Sequence, residues 1–379
     1  MMYNNRIRMR KDIKVVSFIM IGNNLRPDMG RIRKKWADFW AYKNDKPMVW
    51  VTAFKEGKGE LAGQLGMPYP QRPGSDYETY AKNVLRQYEE CFAMVADEVP
   101  VFTPSFGPDQ LCGFFGQEIG YSDDSSGTSW SIRYEQDLEE LLPIIKFNPE
   151  NHMYKEMIEF HKIAAQVFDG KVIINTLDYH SNWDAVCSLR DPMYASMDLI
   201  MYPDIVKKAL EQIAEAYDVY YQDMYKAGNM ANTGTSCWVP VFCEEKYTTI
   251  NCDFICLLGP EQGKEFAVDY VKKECESVDH AIYHLDGYDA VKHLPELLKI
   301  PQLRAINWVP GSGAISDTTM YWMSLYEEIL SSGKGIQIFT SPNDAIEIHK
   351  ALKSPNMIYS IWGGMEEDLK AFYDTMMSI

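Results

Sequence analysis

The stretch His280-Ala281-Ile282-Tyr283-His284-Leu285-Asp286-Gly287 is a short apolar run that ends in an imidazole, a carboxylate and a glycine. Residues i and i+2 of a strand share a face, so His284 and Asp286 aim at one point. Such a pair has three uses. With a third ligand from a neighbouring strand it holds a divalent metal. As a hydrogen-bonded couple it moves protons. Otherwise the histidine is simply buried and satisfied by its neighbour. Cys252-Asp253, at the end of the preceding apolar run, offers the third ligand as a thiolate or as a second carboxylate.

A second run, Ala305-Ile306-Asn307-Trp308-Val309-Pro310-Gly311, follows about one helix later and ends the same way. Two runs of this kind need a parallel sheet whose strands deliver polar groups to one rim. Eight segments read as short buried strands: 47–54, 96–103, 171–177, 247–253, 281–286, 305–310, 335–341 and 357–362. Most are continuous runs of Val, Ile and aromatics, as strands covered on both faces should be. Helical patterns lie between them, at 76–95, 203–227, 261–277, 289–299, 320–331 and 342–352. Eight strands with helical crossovers predict an α/β fold of the (β/α)8 TIM-barrel type, with its site at the C-terminal strand ends.

That arrangement gathers a defined set of groups. His284, Asp286, Asp253 and Asp97 are the expected catalytic residues, with His284, Asp286 and Cys252 as one metal-ligand set. Asp178, His180, Trp238 and Trp308 are expected around the substrate, since aromatics at a strand-end mouth suit a flat or bulky organic ligand. Two stretches break the rhythm. Residues 104–151 read as a lid or rim structure, and 231–245 as a rim excursion before the fourth strand.

Bulk properties narrow the classes further. The 379 residues are 46% hydrophobic, enough for one large core. A formal charge of −17 gives phosphate-backbone binding little support, so nucleic acid is not an expected partner. Eight cysteines without a CxxC pair suggest reduced thiols and a cytoplasmic protein. Residues 1–28, with Arg6, Arg8, Arg10, Lys11 and Lys14 ahead of an apolar run too short to span a membrane, read as a poorly ordered extension. The domain proper is then 29–379, with no membrane span. A P-loop, a GxSxG elbow, an HExxH helix and a strand-linked GxGxxG are all missing from the sequence.

The stretches Ala96-Asp97-Glu98-Val99-Pro100, Cys252-Asp253-Phe254 with Pro260-Glu261, Tyr283-His284-Leu285-Asp286-Gly287 and Ile306-Asn307-Trp308-Val309-Pro310-Gly311 together resemble the uroporphyrinogen decarboxylase superfamily. That superfamily includes zinc-dependent methyltransferases acting on corrinoid proteins. The likeness spans about residues 30–379 and implies a (β/α)8 barrel. It also implies that Asp97 stands where the family's essential aspartate is expected. The decarboxylases carry arginines just after the first strand, and residues 49–54 have none. The methyltransferases read His-x-Cys where this chain reads His284-Leu285-Asp286, and their later cysteine would fall near Ser341-Pro342. The expected activity is methyl transfer between a small methylated compound, or a folate, and a corrinoid supplied by a partner protein, with zinc or another divalent metal at the site. A decarboxylase using Asp97 and a non-catalytic barrel binding a corrinoid or aromatic ligand are the alternatives.

Overall fold

A computed structural model of the chain describes residues 25–122, 127–132, 137–316 and 318–379. Residues 1–24, most of the expected extension, and part of the polar loop around 122–127 lie outside the described residues. Within the expected extension, Arg26 is buried, with its guanidinium against the Ala96 carbonyl and the Glu98 carboxylate. The packed structure therefore begins before residue 29.

Eight short strands carry the layout: β1 (Met48–Val51), β2 (Val101–Phe102), β3 (Ile173–Ile174), β4 (Tyr247–Asn251), β5 (His280–Asp286), β6 (Leu303–Val309), β7 (Gly335–Phe339) and β8 (Met357–Ile361). Six form one parallel sheet in the order β1-β8-β7-β6-β5-β4, and β2 pairs with β3 in parallel. The fold is mixed α/β, with helices between the strands. Helix ends are set by ordinary chemistry. Asp76, Asn151 and Ser341 each accept the N–H of a residue in the first turn of the helix they precede.

The strands expected at 96–103 and 171–177 shrink to two paired residues each. Pro100 has no N–H and interrupts the first of them. Ahead of it the segment is tied to β1 by one backbone–backbone bond, Asp97 N–H to the Val49 carbonyl at 2.9 Å. In the second, Thr176 N–H donates to the Ser236 carbonyl at 2.8 Å and the Asn175 amide to the Cys237 carbonyl at 3.2 Å. Those bonds go to a loop and not to a neighbouring strand. The loop, residues 235–243, is the central part of the 231–245 stretch expected as a rim excursion. It is instead a buried hairpin closed by paired bonds between Thr235 and Cys243, and it fills the space between β3 and β4.

Residues of alternating parity define two cores. Met48, Trp50, Val99, Ile173, Tyr247, Ile282, Ala305 and Ile358 share one core with the hairpin's Val239, Val241 and Phe242. Helix Met29–Trp40 belongs to it through Trp36, Phe39 and Trp40. Val49, Ile250, Tyr283, Leu285, Ile306, Ile338 and Tyr359, one residue out of phase, pack against the surrounding helices. The helix Met29–Trp40 covers the N-terminal strand ends. Arg304, at the start of β6, donates to the Phe39 carbonyl at 2.8 Å, and His280, at the start of β5, stacks on Trp40. Among the described residues no helix is long and apolar enough to cross a membrane.

Trp36 anchors this plug, being fully buried and donating its Nε1–H to the Asp97 carbonyl at 2.8 Å. Trp36→Ala is expected to lower the free energy of unfolding by about 3–5 kcal/mol in urea titration. Trp362→Ala, at a residue 65% exposed, should shift it by less than about 0.5 kcal/mol.

Candidate functional site

Opposite the helical plug, the C-terminal ends of β4 and β5 and the loop after β3 bring two histidines and four aspartates together. Asp253, His284 and Asp286 each offer one ligand atom within 4.8 Å of the others, and so do His180, Asp184 and Asp253. Asp253 belongs to both groups.

His284 is 9% exposed and held by a chain of amides. Asn251, His284 and Asn307 are register neighbours on β4, β5 and β6, and Asn307 is aligned with Gln337 on β7. The His284 Nδ1–H donates to Asn307 Oδ1, and Asn307 Nδ2 donates to Gln337 Oε1. Gln337 Nε2 then donates to Ser360 Oγ on β8 at 2.8 Å. This relay fixes the imidazole tautomer and leaves Nε2 as the electron-pair donor. Trp238, at the tip of the buried hairpin, packs edge-on against the imidazole with ring centroids 4.7 Å apart.

The glycines that end the two sequence runs have a structural purpose. Gly287 and Gly311 both have positive φ, +83° and +78°. A Cβ on Gly311 would stand 2.8 Å from Gly287 Cα and 3.0 Å from Asp286 Oδ1. The end of β6 thus rests directly on the Asp286-Gly287 turn.

His180 lies in the loop after β3, with a φ of +40°, and Asn182 has +50°, strain that a non-glycine residue rarely carries. His180 Nε2 donates to Asp178 Oδ2 at 3.2 Å, while Nδ1 is 3.9 Å from Asp184 Oδ2 and 4.0 Å from Asp253 Oδ2. Burial disfavours its charge, but Asp178, Asp253 and Asp184 outweigh burial and hold its pKa up at about 10. Asp184 is buried in the first turn of helix Asn182–Arg190, and its two oxygens accept the N–H groups of Asp253 and Phe254 at 2.8 and 2.9 Å. Burial, then the Asp253 charge, lift its pKa to about 7. Burial also raises Asp286, aided by Asp253 and opposed by His284.

The expected residues divide cleanly. His284, Asp286, Asp253, Asp178, His180 and Trp238 come together. Asp97 does not. It lies near the N-terminal end of its segment, against the plug, because its carboxylate accepts from Val49 N–H at 3.0 Å, Lys35 at 2.5 Å and Tyr373 at 2.8 Å. Trp308 is one residue past inward-facing Asn307, so it faces outward and packs on Trp322 with centroids 5.0 Å apart. Cys252, one residue past inward-facing Asn251, enters the outer core, where burial pushes its thiol pKa well up. Among the described residues no metal-spaced group includes it. All eight thiols are free.

Asp184, Asn251, Asn307 and Gln337 were not anticipated from the sequence. The available signals were the i, i+4 spacing of His180 and Asp184 and the parity that places three amides level with His284. A cleft of about 280 Å³ lies at the other end, lined by Arg33, Trp36, Trp40 and Phe242 among others. Its ionic groups are already paired, Arg33 with Glu244 and His280 with Glu245. The unpaired polar groups therefore gather at the strand C-termini, which makes that end the candidate site. No family model matches this chain, and neither does any curated protein.

The His180 environment predicts a pH response of the metal-free protein. Its folded pKa of about 10 lies above the usual 6.5, so its stabilising contribution is complete below 6.5 and is lost as pH rises through about 10. Imidazole NMR spectra, assigned with His180→Gln, should show this ring still protonated at about pH 8. Titration near 6.5 would mean that the carboxylates do not act on it.

Proposed function

We propose that this chain is a (β/α)8 barrel enzyme of the uroporphyrinogen decarboxylase superfamily. Its proposed reaction moves a methyl group between a small methylated compound, or a folate, and a corrinoid carried by a partner protein. The observation that carries this reading is the convergence of Asp253, His284 and Asp286 ligand atoms within 4.8 Å at the C-terminal strand ends.

Ring closure is supported by links on both sides of the short strands. Asp97 joins the β2 segment to β1, Thr176 Oγ1 bonds Thr248 Oγ1 of β4 at 3.1 Å, and the inner core draws on residues around the ring. A site at the strand C-termini is where such a barrel keeps its chemistry.

The residues fit a divalent cation. Asp253 Oδ1 and Asp286 Oδ1 are buried and have no hydrogen-bond partner among the described residues. His284 Nε2 is freed for ligation by the bond at Nδ1. A nitrogen and two carboxylates suit zinc and harder divalent ions. A cation bound there would supply Lewis acidity, polarising the heteroatom that bears the methyl group. Asp286 and Asp253 would hold the charge, and Trp238 would wall the substrate and exclude water. Tyr69, Tyr288, Tyr321 and Trp362, each at least 53% exposed, give the surface aromatic weight of the kind that macromolecular partners use. The decarboxylase reading is weakened, because Asp97 is tied up at the opposite end.

Elemental analysis of the purified protein, beside methyl transfer to free cob(I)alamin, tests this. His284→Ala should remove the ion held with Asp253 and Asp286 and lower transfer by at least ~100-fold. Bound metal with no transfer from O-methyl, N-methyl and folate donors would favour the decarboxylase. Absence of both metal and turnover would favour a binding barrel.

A further inference from the structure

We propose that the strand-end cluster of acids and histidines binds two divalent cations, one among His180, Asp184 and Asp253 and one among Asp253, His284 and Asp286, with Asp253 bridging them. The inference rests on the cation site described above and adds a second to it.

The geometry comes first. His180 Nδ1 is 3.9 Å from Asp184 Oδ2 and 4.0 Å from Asp253 Oδ2. These separations are too long for hydrogen bonds. Ligands about 2.0–2.2 Å from one ion stand at most about 4.4 Å apart, so both separations are within reach of a shared ion. Asp253 has an oxygen for each side, since Oδ2 faces His180 and Oδ1 has no partner among the described residues. Paired cations about 3.5–4 Å apart and joined by a carboxylate are an established catalytic arrangement.

Both imidazoles are oriented in the same way, and an ion at His180 would displace the proton on its Nδ1. His180 gives one nitrogen to the Asp178 carboxylate and turns the other toward Asp184 and Asp253. His284 gives one nitrogen to Asn307 and keeps the other for the pocket. An oxygen acceptor behind each metal-binding histidine is the usual means of fixing its orientation. Asp184 already accepts two backbone N–H groups, and each of its oxygens retains a lone pair for a metal.

The charges agree. With ions bound, Asp184, Asp253 and Asp286 would be ionised, and together with Asp178 they would offset the four positive charges of two divalent cations.

An independent observation points to a ligand. Asn251 is 3% exposed, is level with His284 on the adjacent strand, and its Nδ2 has no partner among the described residues. Trp238 Nε1, beside the same imidazole, is a second buried donor without a partner. Buried N–H groups without acceptors are costly, so these two call for an oxygen in the pocket. The ligand class that answers both is a substrate with an anionic oxygen, held by the cations on one side and by these donors on the other.

The test is titration of chelator-treated full-length protein with Mn²⁺ or Zn²⁺ alone, read by calorimetry and, for Mn²⁺, by electron paramagnetic resonance. The expected result is two ions per chain and an exchange-coupled Mn²⁺ signal, both measured on the unsubstituted protein. His180→Ala should keep one ion and lose the coupling, His284→Ala should do the same, and Asp253→Asn should weaken both ions by at least ~10-fold. One ion that depends on His284 and not on His180 would overturn the second site and leave the function proposed above standing. One ion lost equally in both histidine variants would mean a single shared ion and would also overturn it. No bound ion in either titration would overturn both readings.

Discussion

Mutual repulsion among Asp178, Asp184, Asp253 and Asp286 is the constraint that the strand-end pocket is built to answer. Two like charges at 4 Å repel by about 4 kcal/mol at the effective dielectric of a protein surface. The chain meets that repulsion with several local devices. His180 is kept protonated among three carboxylates, Asp184 is given two backbone N–H groups, and Asp286 is displaced toward its neutral form. Each relieves part of the repulsion and none removes it. Carboxylate oxygens of Asp178, Asp253 and Asp286 remain buried with no hydrogen-bond partner among the described residues. An arrangement this costly is a poor way to stabilise a fold and a good way to hold cations.

Holding such a pocket together requires rigid support, and the support runs across the sheet. The relay from His284 through Asn307 and Gln337 to Ser360 links β5, β6, β7 and β8. Buried amides are worth having only when each finds its partner, and along this line the donors and acceptors alternate without a break. From below, the hairpin of residues 235–243 brings Trp238 against the imidazole. From the side, Gly311 rests on Gly287. A substitution anywhere along these supports reaches the site without touching a ligand.

The sequence made the second half of the sheet legible because its strands pair with one another. The runs at 247–253, 281–286, 305–310, 335–341 and 357–362 appear as β4 to β8 near those bounds. His284 and Asp286 share a face there because period two is obligatory in a strand. The segments at 96–103 and 171–177 were less legible because their partners are a single backbone bond, a proline gap and a loop distant in sequence. Parity also explains Trp308, which carries the same apolar signature whether it faces the interior or the helices. The placement of Asp97 came out wrong for another reason. A carboxylate early in its segment lies at the N-terminal rim, and its partners Lys35 and Tyr373 come from the two ends of the described chain. His180 and Asp184 form their group through positive-φ backbone, which no hydrophobic period announces.

Parity also bears on which ions the pocket favours. Cys252 and Asp253 are adjacent, and the chain leaves β4 between the inward Asn251 and the short 3₁₀ turn that begins at Asp253. The thiol is directed into apolar packing, where burial keeps it protonated and a poor ligand. The carboxylate turns back toward His180 and His284. With Asp286 two residues after the histidine, the pocket's donors are nitrogen and oxygen alone. Thiolate ligands soften a bound zinc and raise its affinity for sulfur, whereas carboxylates favour harder ions and oxygen ligands. The proposed methyl transfer would then use an oxygen- or nitrogen-bound methyl group, whose heteroatom a hard cation can engage. The unpartnered N–H groups of Asn251 and Trp238 call for an oxygen acceptor on the ligand, and the same oxygen suits a hard cation.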